Sequence, residues 1–250
     1  MKRKIILLNF TFISLLLYCI ISHVDATAYS MGIKNGQELI WKCKECNEKE
    51  ITNIFGEEWD DSGIFKNLSE GKRMKWRINN LEIDETFISL NFSIWSWNNR
   101  ENWGVKDNDS QIIFLSNPND YSQILNFSSY SSFVPFWFPI PVGEYMGELS
   151  LNNWYEVDNR VLPTLNVEIR ENAVLPGVPS KDIKIIAIYN EQGILNSYKL
   201  YMGEYHVILE IALDYLPVYV VPALIGLVFL FLLALTIFII KKKKWAFSQK

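Results

Sequence analysis

The sequence predicts a mainly β exterior domain followed by one C-terminal transmembrane helix. The domain is expected to be an antiparallel sheet or meander, built as a sandwich or a curved half-barrel, with one or two short helices. Three observations lead to this prediction: apolar and polar residues alternate along several segments, short glycine-containing links join them, and an uncharged run of 23 residues precedes four lysines near the C-terminus.

Residues 1–28 have the order of a secretory signal peptide. Basic Met1–Lys4 precedes an apolar stretch that extends to Ser22, and Ala26-Thr27-Ala28 supplies the small residues of a cleavage site. Cleavage after Ala28, or after Ala26, is expected, and an uncleaved anchor helix is the alternative.

Residues 217–240 are predicted to be the transmembrane helix and residues 241–250 a basic cytoplasmic tail. The uncharged run Val218–Ile240 would span about 34 Å as a helix, which matches a hydrocarbon core of about 30 Å. Lys241–Lys244 follow at once and favour a cytoplasmic C-terminus by the positive-inside rule. The chain is therefore expected in the plasma membrane as a single-pass type I protein, with residues 29–216 outside the cell.

The exterior segment 29–216 is acidic, because it holds 16 basic and 27 acidic residues for a net charge of −11. Such a charge repels phosphates, so nucleic acid is excluded as a partner and docking on anionic lipid is disfavoured. Apart from the membrane itself, an unknown protein, a glycan or an apolar ligand remains as the expected exterior partner.

Alternation of apolar residues predicts the strands. Lys72–Ile78 and Glu82–Trp97 are expected to form a hairpin with its turn at Asn79-Asn80, and Leu165–Ile169 is expected to be a further strand. A meander is expected near the C-terminus of the domain, over Ile183–Tyr189, Ile194–Met202 and Tyr205–Leu213. The first and last of these runs are apolar at successive positions, which predicts central strands covered on both faces. Short helices are expected at Glu48–Phe55 and near Asp120–Phe127.

Cys43 and Cys46 are the cysteine pair of the exterior domain. Outside the cell such a pair is expected to form a disulfide, here a local one across a turn. A thioredoxin-like redox pair and a zinc site are the alternatives. The first lacks a β-α-β pattern around it, and the second lacks four ligands.

Four Asn-x-Ser sequons are candidate glycosylation sites: Asn67, Asn91, Asn108 and Asn126. Asn91 falls on the polar face of its predicted strand, where a glycan would lie in solvent.

The segment Phe133–Val142 has three prolines in ten residues and is strongly apolar. It is predicted to be an extended loop, since proline excludes a helix and a central strand. A lid over one end of the sheet, a lip for a ligand and a loop touching the membrane are three interpretations of it. The last two make Phe136, Trp137 and Phe138 candidate contact residues.

Trp95 and Trp97 lie at the end of a predicted strand, on the same face as Ser89, Asn91 and Ser93. Either a bulge turns the end of this strand over, or the two rings stand exposed. Exposed rings would stack on sugars or anchor a protein partner.

No catalytic residue, metal ligand set or cofactor site is predicted, because the sequence has no nucleophile elbow, Walker loop, H-E-x-x-H or dinucleotide fingerprint. The acidic group Glu57–Asp61 lacks the spaced oxygen ligands of a calcium loop and is expected to be a solvated turn.

Several short motifs follow one another in a recognisable order: G-x-E-L-x-W at Gly36–Trp41, the C-x-x-C pair, G-x-R-M-K-W at Gly71–Trp76, the Phe136–Pro141 loop and YNEQGIL at Tyr189–Leu195. Between a signal peptide and a C-terminal anchor, this order resembles the uncharacterised secreted single-span membrane proteins of archaea, especially of the Asgard type. The resemblance implies the layout of the chain and brings no known activity.

A membrane-anchored exterior binding or interaction module without a catalytic site is the expected function. An envelope-acting hydrolase that uses two carboxylates is one alternative, and a carrier of apolar ligands is another. A cleft with two facing carboxylates would favour the hydrolase. A dry cavity under Phe133–Val142 would favour the carrier, and a closed core with exposed Trp95 and Trp97 would favour the interaction module.

Overall fold

The computed structural model describes residues 29–99, 103–170 and 182–214, together with residues 227, 228 and 231. The chain divides into two compact units, Met1–Leu213 and Asp214–Lys250. The predicted signal peptide and tail lie outside the described residues, as does the predicted membrane helix apart from those three isolated positions. Within the described residues, no helix is long and apolar enough to cross a membrane.

The described part of the first unit is built on one open antiparallel sheet of nine strands, in the order β4-β3-β2-β1-β9-β8-β7-β6-β5. This confirms the mainly β, antiparallel fold with short helices. The elements are β1 (Glu38–Cys46), α1 (Glu48–Phe55), β2 (Arg73–Ile83), β3 (Phe87–Asn98), β4 (Asn108–Leu115), α2 (Val142–Glu148), β5 (Tyr155–Asp158), β6 (Thr164–Ile169), β7 (Ile183–Tyr189), β8 (Leu195–Met202) and β9 (His206–Leu213), with single 3-10 turns at Gly63–Phe65, Pro118–Asp120 and Phe127–Ser129.

The sheet consists of two meanders joined by β1. Strands β5 to β9 form one meander, which confirms the three strands predicted near its end, and β2 to β4 form the other. β1 pairs with both β2 and β9 and so makes the sheet continuous. The prediction that both faces of β7 are covered is wrong, because Ile185 and Ala187 are inaccessible while Ile186 and Ile188, on the other face, remain half-buried. The face that carries Trp41, Trp76 and Phe92 is called the inner face below.

The hairpin of β2 and β3 is confirmed, but the turn predicted at Asn79-Asn80 is wrong. Both asparagines lie inside β2, where the pairing shifts by one residue between Ile78 and Asn80. Ile78 faces inward, and without the bulge Asn80 would face inward as well. Because the bulge inserts one residue, Leu81 faces inward instead, opposite Leu90. The turn lies instead around Asp84, whose amide N–H donates to the Phe87 carbonyl over 2.8 Å.

The sheet bends around the proline-rich segment. The Phe138 ring lies 5.1 Å from Phe114 of β4 and 5.0 Å from Tyr189 of β7, measured between ring centres. These strands are six places apart in the sheet, which would separate them by about 29 Å if the sheet were flat. The two halves of the sheet therefore curve towards each other, with Phe138 between them.

The helix predicted at Glu48–Phe55 is confirmed as α1, and the Asn47 side chain caps its start by accepting a hydrogen bond from the Glu50 amide. The helix predicted near Asp120–Phe127 is wrong. That stretch lies between two single 3-10 turns, each begun by an asparagine side chain that bonds the backbone two residues on. Helix α2 was not predicted; it begins directly after Pro141, the last proline of the apolar segment.

Candidate binding pocket

A pocket of about 490 Å³ opens on the inner face, where β3 ends and β4 begins. Two loops, residues 61–66 and 129–132, form its other walls. We call it the serine pocket, since six serines line it, namely Ser62, Ser96, Ser110, Ser129, Ser131 and Ser132. Its volume lies in the range of about 300–1,000 Å³ that is usual for sites of small organic ligands.

The floor of the serine pocket is aromatic and rigid. Trp76, Phe92 and Phe136 line it, and each is only 2% exposed. Trp76 stacks on Phe92 at 3.9 Å and lies 5.6 Å from Phe136, measured between ring centres. Within the described residues, the buried indole Nε1 of Trp76 has no hydrogen-bond acceptor. A donor without an acceptor in a buried position is uncommon and costs stability.

Hydrogen bonds from the core hold the two loops in place. The Trp97 Nε1 donates to the Ile64 carbonyl over 2.7 Å and ties the first loop to β3. The Ser132 hydroxyl is buried and donates to the Val134 carbonyl over 2.6 Å, which fixes the end of the second loop. The walls of the serine pocket are therefore supported by residues of the folded core.

Three charged residues line the serine pocket: Asp61, Lys66 and Asp107. An Asp107 carboxylate oxygen accepts a hydrogen bond from the Ser96 amide over 2.7 Å, across the β3–β4 connection. Burial raises the pKa of Tyr130, so its phenol stays protonated at neutral pH. The lining combines neutral hydroxyls and amides with a small excess of negative charge.

The proline-rich segment forms a lid folded into the core. Phe136, Trp137 and Phe138 are buried, at 2%, 0% and 0% exposure. The Phe138 amide donates to the Gly193 carbonyl, and the Phe136 carbonyl accepts from the Leu195 amide, so the segment is tied to the start of β8. Trp137 and Phe138 thus have no accessible surface with which to touch a partner or a membrane. The Phe136 ring is also buried, and it lines the floor of the serine pocket.

A bulge separates Trp95 from Trp97. Lys75 pairs with Trp95 and Arg73 with Asn98, so two residues of β3, Ser96 and Trp97, lie opposite one residue of β2. The bulge turns Trp97 to the inner face, where it is 2% exposed. Trp95 stays on the outer face, half-buried over the side chain of Lys75. Of the two rings, only Trp95 is accessible.

Cys43 and Cys46 carry free thiols in the structure, so the predicted disulfide is not formed there. A register shift after Cys43 in the pairing of β1 with β9 brings both side chains to the inner face, since Cys43 pairs with Ile211 and Cys46 with Leu209. The Cys43 thiol hydrogen-bonds with Cys46 and is fully buried, and these two causes raise its pKa strongly. Within the described residues, no group of three or more histidine, cysteine, aspartate or glutamate side chains could hold a metal ion.

The four sequon asparagines lie apart from one another. Asn67, Asn108 and Asn126 are exposed, whereas Asn91 is half-buried among the polar side chains of the outer face. Asn108 is also part of the serine pocket. A glycan on this residue would stand at the edge of the pocket.

Sequence reasoning missed the serine pocket as a site. Its walls come from four separate stretches, and isolated serines carry no recognisable spacing. Asp61, at the end of the acidic group, and the sequon residue Asn108 are the wall residues that the sequence singles out, and neither points to a pocket. Comparison with known proteins gives no match, whether to a family model, to a curated protein or to a solved structure.

Proposed function

We propose that residues 29–213 form the exterior ligand-binding module of a single-span membrane protein, with the serine pocket as its site. The observation that carries this proposal is the pocket itself: about 490 Å³ of space with a rigid aromatic floor and polar walls. Sites for small organic ligands combine these same features. The strong bend of the sheet around Phe138 supports the half-barrel alternative over the sandwich.

The exterior location of the module is proposed from the two ends of the sequence. The signal-like residues 1–28 and the uncharged run Val218–Ile240, followed by four lysines, favour an N-terminal domain outside the plasma membrane. A binding module in this place would report on, or retain, a compound that reaches the cell surface.

The hydrolase remains a second candidate because Asp61 and Asp107 both line the serine pocket. A pair of carboxylates across a sugar is what glycoside hydrolysis requires. Replacing both with asparagine separates the two functions. A binding module keeps its ligand in the double variant, whereas a hydrolase loses turnover of the bound compound.

Ligand-observed NMR with a library of small soluble compounds tests the proposal on the full chain in lipid nanodiscs. Ser110 faces the pocket opposite Phe92, so Ser110→Phe fills it, while Ile113→Phe on the outer face of the same strand is the matched control. Compounds whose signals change with the wild-type chain and with Ile113→Phe, but not with Ser110→Phe, support the proposal. Signals that change equally with all three chains contradict it.

A further inference from the structure

We infer that the serine pocket binds a neutral sugar, an inference that rests on the ligand-binding function proposed above. Nine of its lining residues are neutral and polar: the six serines, Asn108, Gln111 and Tyr130. Three properties of this lining indicate the class of ligand: the free hydrogen-bonding capacity of its hydroxyls, its net charge and the position of its apolar surface.

Most of the hydroxyls are available to a ligand. Within the described residues, five of the six serine hydroxyls make no hydrogen bond to the protein, and the exception is Ser132. Each free hydroxyl both donates and accepts. Sugar hydroxyls also donate and accept, so either partner can donate the hydrogen bond between a serine and a sugar hydroxyl. The five free serines are Ser62, Ser96, Ser110, Ser129 and Ser131.

The charge of the pocket disfavours anionic ligands. Asp61 and Asp107 face a single cation, Lys66, so a phosphate or carboxylate would enter a site with an excess of negative charge. The net charge of −11 over residues 29–216 adds to this repulsion. Nucleotides and acidic sugars are therefore poorer ligands than neutral sugars.

The apolar surface of the pocket suits the faces of a sugar ring. Ile64, Ile94 and Tyr130 are half-buried in the walls, where their accessible surface meets the C–H groups of a pyranose while its hydroxyls reach the serines. A fully apolar ligand would remove water from the serine hydroxyls and give them no partner, which costs free energy for each group. The lining thus selects an amphipathic, uncharged ligand over a lipid chain.

Isothermal titration calorimetry on the full chain in nanodiscs tests the inference. The chain is produced without N-glycosylation, so that Asn108 carries no glycan. The probes are glucose, galactose, mannose, N-acetylglucosamine and maltose as neutral sugars, glucuronic acid as a charged sugar and 1-octanol as an apolar ligand. The variants are Ser110→Phe, the double change Ser96→Ala and Ser131→Ala, and the outer-face control Ile113→Phe.

At least one neutral sugar is expected to bind, with glucuronic acid weaker than glucose. Ser110→Phe is expected to lower the affinity by at least about tenfold, and Ile113→Phe to leave it unchanged. The double serine variant is expected to lower it by about tenfold with an unchanged unfolding midpoint, because the lost hydroxyls bond nothing in the protein. That second variant decides the matter if Ser110→Phe fails to fold.

Binding of 1-octanol or glucuronic acid in preference to neutral sugars, lost in Ser110→Phe, would overturn the sugar inference and leave the proposed function standing. Sugar binding that both serine variants leave unchanged would overturn the assignment to this pocket. If none of these probes binds, the sugar inference falls, and the compound library of the preceding section separately decides the proposed function.

Discussion

The ammonium group of Lys75 lies 4.1 Å from the centre of the Trp95 ring. It also lies 5.3 Å from the Trp103 ring and 3.3 Å from a carboxylate oxygen of Glu38. Lys75 is only 7% exposed, so these partners replace most of its water. Trp95 lies in β3, and Trp103 lies in the connection from β3 to β4, a few residues before the pocket residue Asp107. Lys75 therefore links Trp103 to β2 and β3 on the outer face of the sheet.

We expect Lys75→Gln to lower the free energy of unfolding by about 1–2 kcal/mol, because a desolvated cation–π contact is lost. Lys75→Arg should keep most of the stability, since a guanidinium binds the same rings. Arg77→Gln, at an exposed position of the same strand, is the control and should have little effect. Denaturant unfolding followed by tryptophan fluorescence measures all three, and equal losses at Lys75 and Arg77 would contradict this role of Lys75.

Gly63 permits the close approach of the two pocket loops. It has a φ of +69°, and a Cβ atom at this position would lie too close to the Ser131 hydroxyl oxygen. We expect Gly63→Ala to destabilise the protein more than Gly71→Ala, which has a φ of +81° but open space around it. Alanine is strained at both positions because φ is positive at both. The difference in stability between the two variants therefore measures the contact of the new Cβ with Ser131. Adding Ser131→Ala to Gly63→Ala should recover this difference in unfolding midpoint, and no recovery would show that the loops do not meet there.

The raised pKa of Cys43 predicts how it reacts. An ordinary cysteine has a pKa of about 8.5 and reacts as the thiolate, so its alkylation speeds up as the pH rises towards that value. Because the pKa of Cys43 lies far higher and its side chain is fully buried, it stays protonated in this range. Iodoacetamide on the native protein should label Cys46 and spare Cys43, with both labelled after unfolding. Mass spectrometry of the peptide that contains Cys43 and Cys46 measures the labelling of each cysteine. If neither cysteine of the unfolded protein is labelled until a reductant is added, the two form the disulfide that the sequence predicts.

Alternation of apolar residues allowed most of the sheet to be predicted. It located most of β2, together with β3 and β6, since a buried inner face imposes a period of two. The meander β7 to β9 was located by its short glycine-containing links. Alternation fails as a guide at the bulges of the β2–β3 pair. One inserted residue there moves every following side chain to the opposite face of the sheet, and nothing in the composition marks the position. The pair Asn79-Asn80 therefore resembles a turn in the sequence although it lies at a bulge of β2, and the sequence allows two orientations of Trp97.

The serine pocket could not be predicted from the sequence, because its walls meet only when the sheet bends. Ser62, Ser96 and Ser131 lie far apart in the chain, and nothing in their local sequences differs from an ordinary loop or strand end. The position of Phe138 between the two halves of the sheet cannot be predicted from the sequence either. An apolar, proline-rich segment is compatible with a lid, a lip or a membrane contact, and the packing of Phe138 between Phe114 and Tyr189 distinguishes them.

The proposed topology predicts a protease result. Protease added to intact cells should remove residues 29–216 and spare a tag placed after Lys250, because the four lysines that follow Ile240 favour a cytoplasmic tail. Immunoblots against the exterior domain and the tag measure both ends. A domain that is protected until the cells are broken would contradict the exterior location.

Hydrogen–deuterium exchange of the full chain, with and without a bound compound from the library or the sugar panel, tests the central claim most directly. The account predicts that slower exchange on binding is concentrated in residues 61–66, 107–112 and 129–132, the backbone around the serine pocket. The β5–β6 edge at the other end of the sheet should be unchanged. Slower exchange at that edge, with none in the three pocket stretches, would contradict the assignment of the binding site.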